Sequence, residues 1–310
     1  MSVSTADAPL LHHTNPDLAR PLPVSIHDAR ADLPAIAADI LAIAESALER
    51  DWAWIGGGEG TVRYGIYRLH ELFERAEVEA SRALRDTGRD GGLAAALIAP
   101  SGAARWDLHG VLAPLSDPDI DADPGGGEWS IRRTLGHTIN AQRAYGWSTA
   151  WWQERGFALD DPDLPPSVGD AFMAELPDED GAEQAGSLDE IRSRLDAILD
   201  LSAERLAGTA GERLGHGARW SGFAVPVSFR LARWSSHLRE HTIQVEKTLA
   251  MLGTVPTEPE RLVRLTFAAY GRAEAVVFGQ PESGAAAEIV RAAVAEARAT
   301  IADARRTAEA

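Results

Sequence analysis

The sequence predicts a nearly all-helical protein, and three observations carry that expectation. Alanine and leucine dominate the 310 residues while β-branched residues are sparse, a composition that favours helix. Apolar residues recur at three-and-four spacing in stretch after stretch, the period of one helix face. Helix-start signals stand directly ahead of those stretches: Thr61, Ser130, and Ser187 with Glu190 three residues on.

Composition also bounds the partners. The chain is long enough for one large or two ordinary domains with a substantial core. Lys and Arg total 30 against 47 Asp and Glu, a net charge of −17 that repels phosphate backbones and anionic membranes, so neither nucleic acid nor membrane is expected as a partner. There is no cysteine. Disulfides, thiolate metal ligands and a cysteine nucleophile are therefore excluded, any metal must rely on histidine and carboxylate, and any thiol must arrive with a substrate. No signal-type segment opens the chain and nowhere do 18 apolar residues run together, so a soluble, cytoplasmic protein is expected.

In order along the chain, residues 1–27 hold four prolines and no period and read as a flexible arm with His12 and His13 exposed. Residues 28–92 read as an N-terminal helical hairpin: one helix from Asp28 to about Trp54, a stop at the glycines near 56, and a second helix from Thr61 to about Arg85 with Tyr64, Tyr67, Leu72 and Phe73 inward. Residues 93–253 form the central unit. It opens on a helix that Pro100, Gly102 and Gly110 should break, followed by a polar linker over 116–128 and a helix from Ser130 to about Arg155. Residues 157–186 are acidic and proline-rich, a long crossover of the kind that joins helices that are not antiparallel neighbours. A capped helix runs from Ser187 to about Ala207, residues 208–226 read as an exposed loop with His216 facing solvent, and a helix spans Phe229 to Leu252. Residues 254–310 are a C-terminal extension of two helices, the last with a narrow apolar stripe suited to packing on the bundle or on a second subunit of a homodimer. GGGEGTVR at 56–63 and GGGEWSIR at 125–132 echo each other, with Arg68 in the first copy where the second has His137.

The Phe229–Leu252 stretch organises the rest. Its buried stripe includes His237 and His241, four apart, where aliphatic residues would pack better and unpaired imidazoles cost desolvation energy. Side chains at i and i+4 share a face. The pair therefore reads either as the two-ligand half of a metal site or as packed core histidines bonded to carbonyls. It is not the metalloprotease motif, because Leu238 stands where that motif needs glutamate. His137, on a face with Ala141, Ala144, Ser148 and Trp151, is the candidate third ligand.

The chain resembles the DinB-like superfamily, and more narrowly the actinobacterial branch related to mycothiol-dependent maleylpyruvate isomerases. The resemblance rests on EWSIRRTLGHTINAQRAYGW (128–147), RLARWSSHLREHTIQVEKTLAMLG (230–253) and ARWDLHGVLAPLSDPDIDADP (104–124), and covers about residues 93–253. It implies a four-helix bundle of up-down-down-up connectivity whose metal ligands match His137, His237 and His241. Some branches carry a carboxylate at the position of His237, so the all-histidine set leans toward the ordinary three-histidine sites and slightly away from the isomerases themselves. Zinc or nickel suits such ligands. The resemblance further implies that the open coordination position receives the sulfur of a low-molecular-weight thiol such as mycothiol, which attacks an electrophilic substrate. Tyr145, two turns beyond His137, and His109 are candidate substrate-binding groups; each also reads as a packed side chain, as do the tryptophans. Three functions stay open: a thiol-dependent S-transferase or isomerase, a non-catalytic metal or small-ligand binding protein, and a helical scaffold with structural histidines.

Overall fold

Side-chain caps open the helices where the sequence signals them. Thr61 accepts from the Tyr64 amide and Ser130 from the Arg133 amide, while Ser187/Glu190 and Thr257/Glu260 close reciprocal capping boxes. The computed structural model describes residues 15–54, 57–88 and 91–310. Its elements are α1 (Val24–Leu41), β1 (Asp51–Ala53), β2 (Glu59–Thr61), α2 (Val62–Asp86), α3 (Gly92–Leu112), α4 (Asp117–Asp121), α5 (Ile131–Arg155), α6 (Pro166–Glu175), α7 (Leu188–Leu206), β3 (Gly217–Trp220), β4 (Phe223–Pro226), α8 (Val227–Met251), α9 (Glu258–Val277) and α10 (Gly284–Glu309). The strands form two antiparallel hairpins, with Asp51 opposite Thr61 and Gly217 opposite Pro226.

The helices bury their apolar stripes in two cores. α3, α5, α7 and α8 enclose one that includes Leu108, Ile139, Leu199 and Leu238; α1, α2, α9 and α10 enclose the other, with Leu33, Phe73, Phe267 and Ile301. Hydrogen bonds fix the directions of the inner bundle. His109 meets Asp196 and Arg105 meets Asp200, so α3 and α7 are antiparallel. Arg132 donates to the carbonyls of Gln184 and Gly186 at one end while Thr209 donates to Gln153 at the other, so α5 and α7 are parallel. Arg230 bonds Thr149, and Thr248 bonds the Trp129 carbonyl, so α8 returns antiparallel to α5. The connectivity is up-down-down-up.

α3 belongs to both units. Its Ala104 and Leu108 lie in the inner core and its Trp106 in the outer one. It lies antiparallel on α9 at close range because a Cβ on Gly271 would come within 2.7 Å of the Trp106 Cβ, and one on Gly110 within 2.8 Å of the Arg264 Cα. A buried ionic cluster sits in this joint. Arg30 of α1 and Arg105 of α3 both donate to Glu274 of α9 and to Asp200 of α7, and Trp106 and Tyr270 donate to Glu274 as well. Burial pushes the Glu274 carboxyl up, but the two guanidiniums outweigh it and hold it at about 2.

Several expectations are corrected. Residues 1–14, with His12 and His13, lie outside the described residues; the rest of the expected arm is partly structured, since α1 starts at Val24 and the Arg20 amide donates to the Glu204 carbonyl. The first helix ends at Leu41, not near Trp54, because the chain turns back so that Ile43, Leu48 and Trp52 enter the outer core and Trp52 reaches Asp303. α1 and α2 are no hairpin: each packs chiefly on α9 and α10. Tyr64 and Tyr67 are exposed. α3 is continuous through Pro100, its glycines serving close packing. The 116–128 linker contains α4, the crossover contains α6, and residues 208–226 contain the β3–β4 hairpin, turned by Ser221 and Gly222 at positive φ. His216 is half-buried, its Nδ1 2.9 Å from the Gln153 carbonyl. α10, which had a second subunit as one expected partner, packs on α1 and α2 of its own chain.

Candidate metal centre

The i, i+4 spacing on α8 brings His237 and His241 together with their Nε2 atoms 2.9 Å apart, both nearly buried at 5% and 8% exposure. α5, running antiparallel, sets His137 against them: its ring centroid lies 5.8 Å from that of His237 and 5.1 Å from that of His241. One ligand atom from each of the three lies within 4.8 Å of the others. His137 is half-buried and carries the open side of the cluster, with Trp129 edge-on at 5.2 Å.

Outer contacts fix which nitrogen faces inward. Asn140 Nδ2 donates to Glu179 Oε2 at 2.6 Å, which aims the other oxygen, Oε1, at His137 Nδ1, 3.2 Å away. Gln244 Oε1 lies 2.9 Å from His241 Nδ1. An Nδ1–H donated outward in each case leaves Nε2 bare for a ligand bond, the carboxylate–histidine arrangement common around bound metals. Burial, reinforced by His241, Arg233 and His137, pulls His237 down to about 3. Burial also lowers His241. Both rings are therefore neutral at ordinary pH, the protonation state that ligation needs.

The donor set fits a divalent ion. Two nitrogens bound at about 2.0–2.1 Å to one tetrahedral zinc stand roughly 3.3–3.4 Å apart, so a ring movement of about half an ångström converts the 2.9 Å Nε2 contact into ligand geometry. With His137 that gives a donor set of three imidazole nitrogens, of a kind suited to a divalent transition metal. Three protein ligands leave room for an exogenous one.

Of the two candidate substrate groups, Tyr145 is at the cluster, its ring 5.1 Å edge-on to His237. His109 is not. Its Nε2 donates to Asp196 at 2.8 Å, its Nδ1 accepts from Arg192 at 3.2 Å, and its ring packs on Trp106 in the joint between the units. Burial keeps it neutral, so it acts there as a structural histidine.

Sequence reading missed Glu179, Asn140 and Gln244. Asn140 and Gln244 lie three residues past a ligand histidine and hence on its face, a signal that was available; Glu179 sits in a π-helical turn, Glu179–Glu183, of the crossover, where no periodicity marks it. No helix among the described residues is long and apolar enough to cross a membrane. No curated protein and no solved structure matches the chain. Residues 102–245 match the model of the DinB superfamily, a span that takes in His137, His237 and His241, the whole of α5 and α7, the second half of α3 and most of α8. That match supports reading the inner bundle as a DinB-superfamily domain.

Proposed function

We propose that the protein is a metal- and thiol-dependent transferase or isomerase. His137, His237 and His241 would hold a divalent ion, zinc or nickel, beside which a low-molecular-weight thiol of the mycothiol type meets an electrophilic substrate. The observation that carries this reading is the convergence of three imidazoles, of which His237 and His241 are buried and neutral, while Glu179 holds the outer nitrogen of His137 and Gln244 that of His241. A bound divalent ion supplies Lewis acidity, lowering the pKa of a thiol by several units so that it reacts as thiolate near pH 7.

The chain's own residues do the positioning. Glu179 and Gln244 hold two imidazoles in the tautomer with Nε2 inward. Tyr145 walls the site beside His237 with a phenol able to donate to an anionic intermediate. The protein has no thiol of its own to oxidise or to compete with the co-substrate.

Metal analysis of untagged protein tests the first half, with about one ion per chain expected in the wild type and little in His137→Ala. Loss of thiol in the presence of a bimane or a chlorinated nitroarene tests the second. A stoichiometric ion without turnover across several thiols would instead support a non-catalytic metal-binding role, and unchanged metal content in His137→Ala would overturn the triad.

A further inference from the structure

Beside the triad lies a cavity of about 600 Å³ whose walls include Tyr145, Trp147, Trp152, Phe172, Trp220 and Arg230. Arg230 is 6% exposed. Its three hydrogen-bond partners are neutral: Nε donates to Thr149 Oγ1 at 3.2 Å, Nη1 to the Arg219 carbonyl and Nη2 to Ser148 Oγ. A guanidinium carries five N–H donors, so these bonds leave two. The other two buried arginines among the described residues each meet a carboxylate, Arg105 with Glu274 and Arg143 with Glu183. Arg230 has none among the described residues, and Asp170, the acidic residue of the cavity wall, is exposed. A cation taken out of water without a counter-ion is costly. That cost registers in the group itself, because burial drives Arg230 down to about 10.

We propose that this cavity binds a small organic acid with an apolar body, the anionic end paired with Arg230 and the body lying among the aromatic walls. The spare donors of a guanidinium suit a carboxylate. The assignment names a substrate class for the proposed enzyme and rests on that reading, since the cavity adjoins the same site: the Tyr145 ring lies 6.0 Å from the Arg230 guanidinium carbon and 5.1 Å from the His237 ring. Arg230 precedes His237 by seven residues of α8, about 10 Å along the helix axis. A molecule of benzoate size or somewhat longer, anchored at Arg230, therefore reaches past Tyr145 toward the triad.

Benzoate and its neutral counterpart benzyl alcohol test this, with binding to the full-length protein followed by quenching of tryptophan fluorescence and by calorimetry. Wild-type protein is expected to bind benzoate at least tenfold more tightly than the alcohol. Arg230→Gln should abolish the preference and Arg230→Lys should keep part of it; circular dichroism checks that both are folded, and if the Gln variant is not, the wild-type ratio and the Lys variant decide. Equal binding of acid and alcohol by the wild type, no binding of either, or undiminished benzoate binding by Arg230→Gln overturns the assignment. His137→Ala should bind benzoate as the wild type does. Loss of benzoate binding in that variant would place the anion on the metal and overturn the role of Arg230. A wild-type protein that carries no metal yet prefers benzoate tenfold would keep this assignment and remove the metal-dependent reading.

Discussion

Glu179 and Gln244 point at the far nitrogens of two imidazoles, yet they decide which nitrogen faces the centre of the cluster. Outer-shell partners of this kind are worth about 10- to 100-fold in metal affinity. Glu179→Ala is accordingly expected to weaken zinc binding by that factor in competition with a chromophoric chelator. Its melting temperature in chelator should barely move, because the carboxylate is about one-third exposed. Affinity within twofold of the wild type would show that the bundle alone orients His137. The pairing of His237 with His241 was legible because i, i+4 spacing on a helix without Gly or Pro leaves two histidines one place to go. His109 reads the same way in sequence, a histidine on an apolar helix, and only its partners Asp196 and Arg192 on α7 separate the cases. Nothing in the sequence marks Arg230, since its lack of a carboxylate among the described residues is a fact about α5 and the β3–β4 hairpin rather than about its neighbours in the chain.

At the scale of elements, capped and periodic helices were readable to within a few residues: α5, α7, α8, α9 and α10 start and stop close to where caps and glycines place them. The misreadings share one cause, which is that a glycine or a stripe has different meanings depending on what packs against it. Gly110 signals a break in isolation, but in α3 it lets the α9 backbone approach. The apolar stripe after Leu41 continues the helical period, yet β1 pairs with β2 and Trp52 reaches Asp303 instead. Gly271 is the sharper test of this contact, because a side chain there meets the Trp106 Cβ at 2.7 Å and the Ala103 backbone at 3.1 Å. Overpacking of this kind costs about 1–3 kcal/mol. Gly271→Leu should therefore lower the urea midpoint accordingly without altering metal content, since the triad lies on α5 and α8. A midpoint equal to that of the wild type would mean that α3 and α9 are not held at this distance.

Across the whole molecule, the outer helices repeat the inner plan. Ser25 with Glu288 and Asp39 with Arg305 make α1 and α10 parallel, Arg63 with Glu258 and Arg272 with Glu77 make α2 and α9 parallel, and Arg30 with Glu274 at one end and Glu45, just past α1, with the Glu258 amide at the other make α1 and α9 antiparallel. This is up-down-down-up again, with the inner bundle inserted between the second and third helices. The repeated glycine-and-cap signal opens the second helix of each unit, and Arg68, set over the Trp54 ring, stands in the outer unit where His137 stands in the inner one. The ionic joint ties the units through Glu274, whose carboxyl is held near 2. A depressed carboxyl stabilises the fold above the unfolded-state value of about 4.3, and that contribution is lost as pH falls toward 2, at about 1.4 kcal/mol per unit of depression. Acid unfolding monitored by circular dichroism should start in that window, and Glu274→Gln should remove much of the pH dependence while lowering stability at pH 7. The same joint decides whether the inner bundle can live alone. Residues 93–253 without α1 and α9 would leave Arg105 with its α7 carboxylates but without Glu274, and would bare Trp106 and the face of α3 that packs on α9; each large apolar side chain so exposed costs about 1.5–3 kcal/mol, together a large part of a domain's total stability. Expressed by itself, that segment should be helical but show no sharp thermal transition and little metal binding. A cooperative melt with one ion per chain would instead make the inner bundle a self-sufficient domain and the outer helices an appendage.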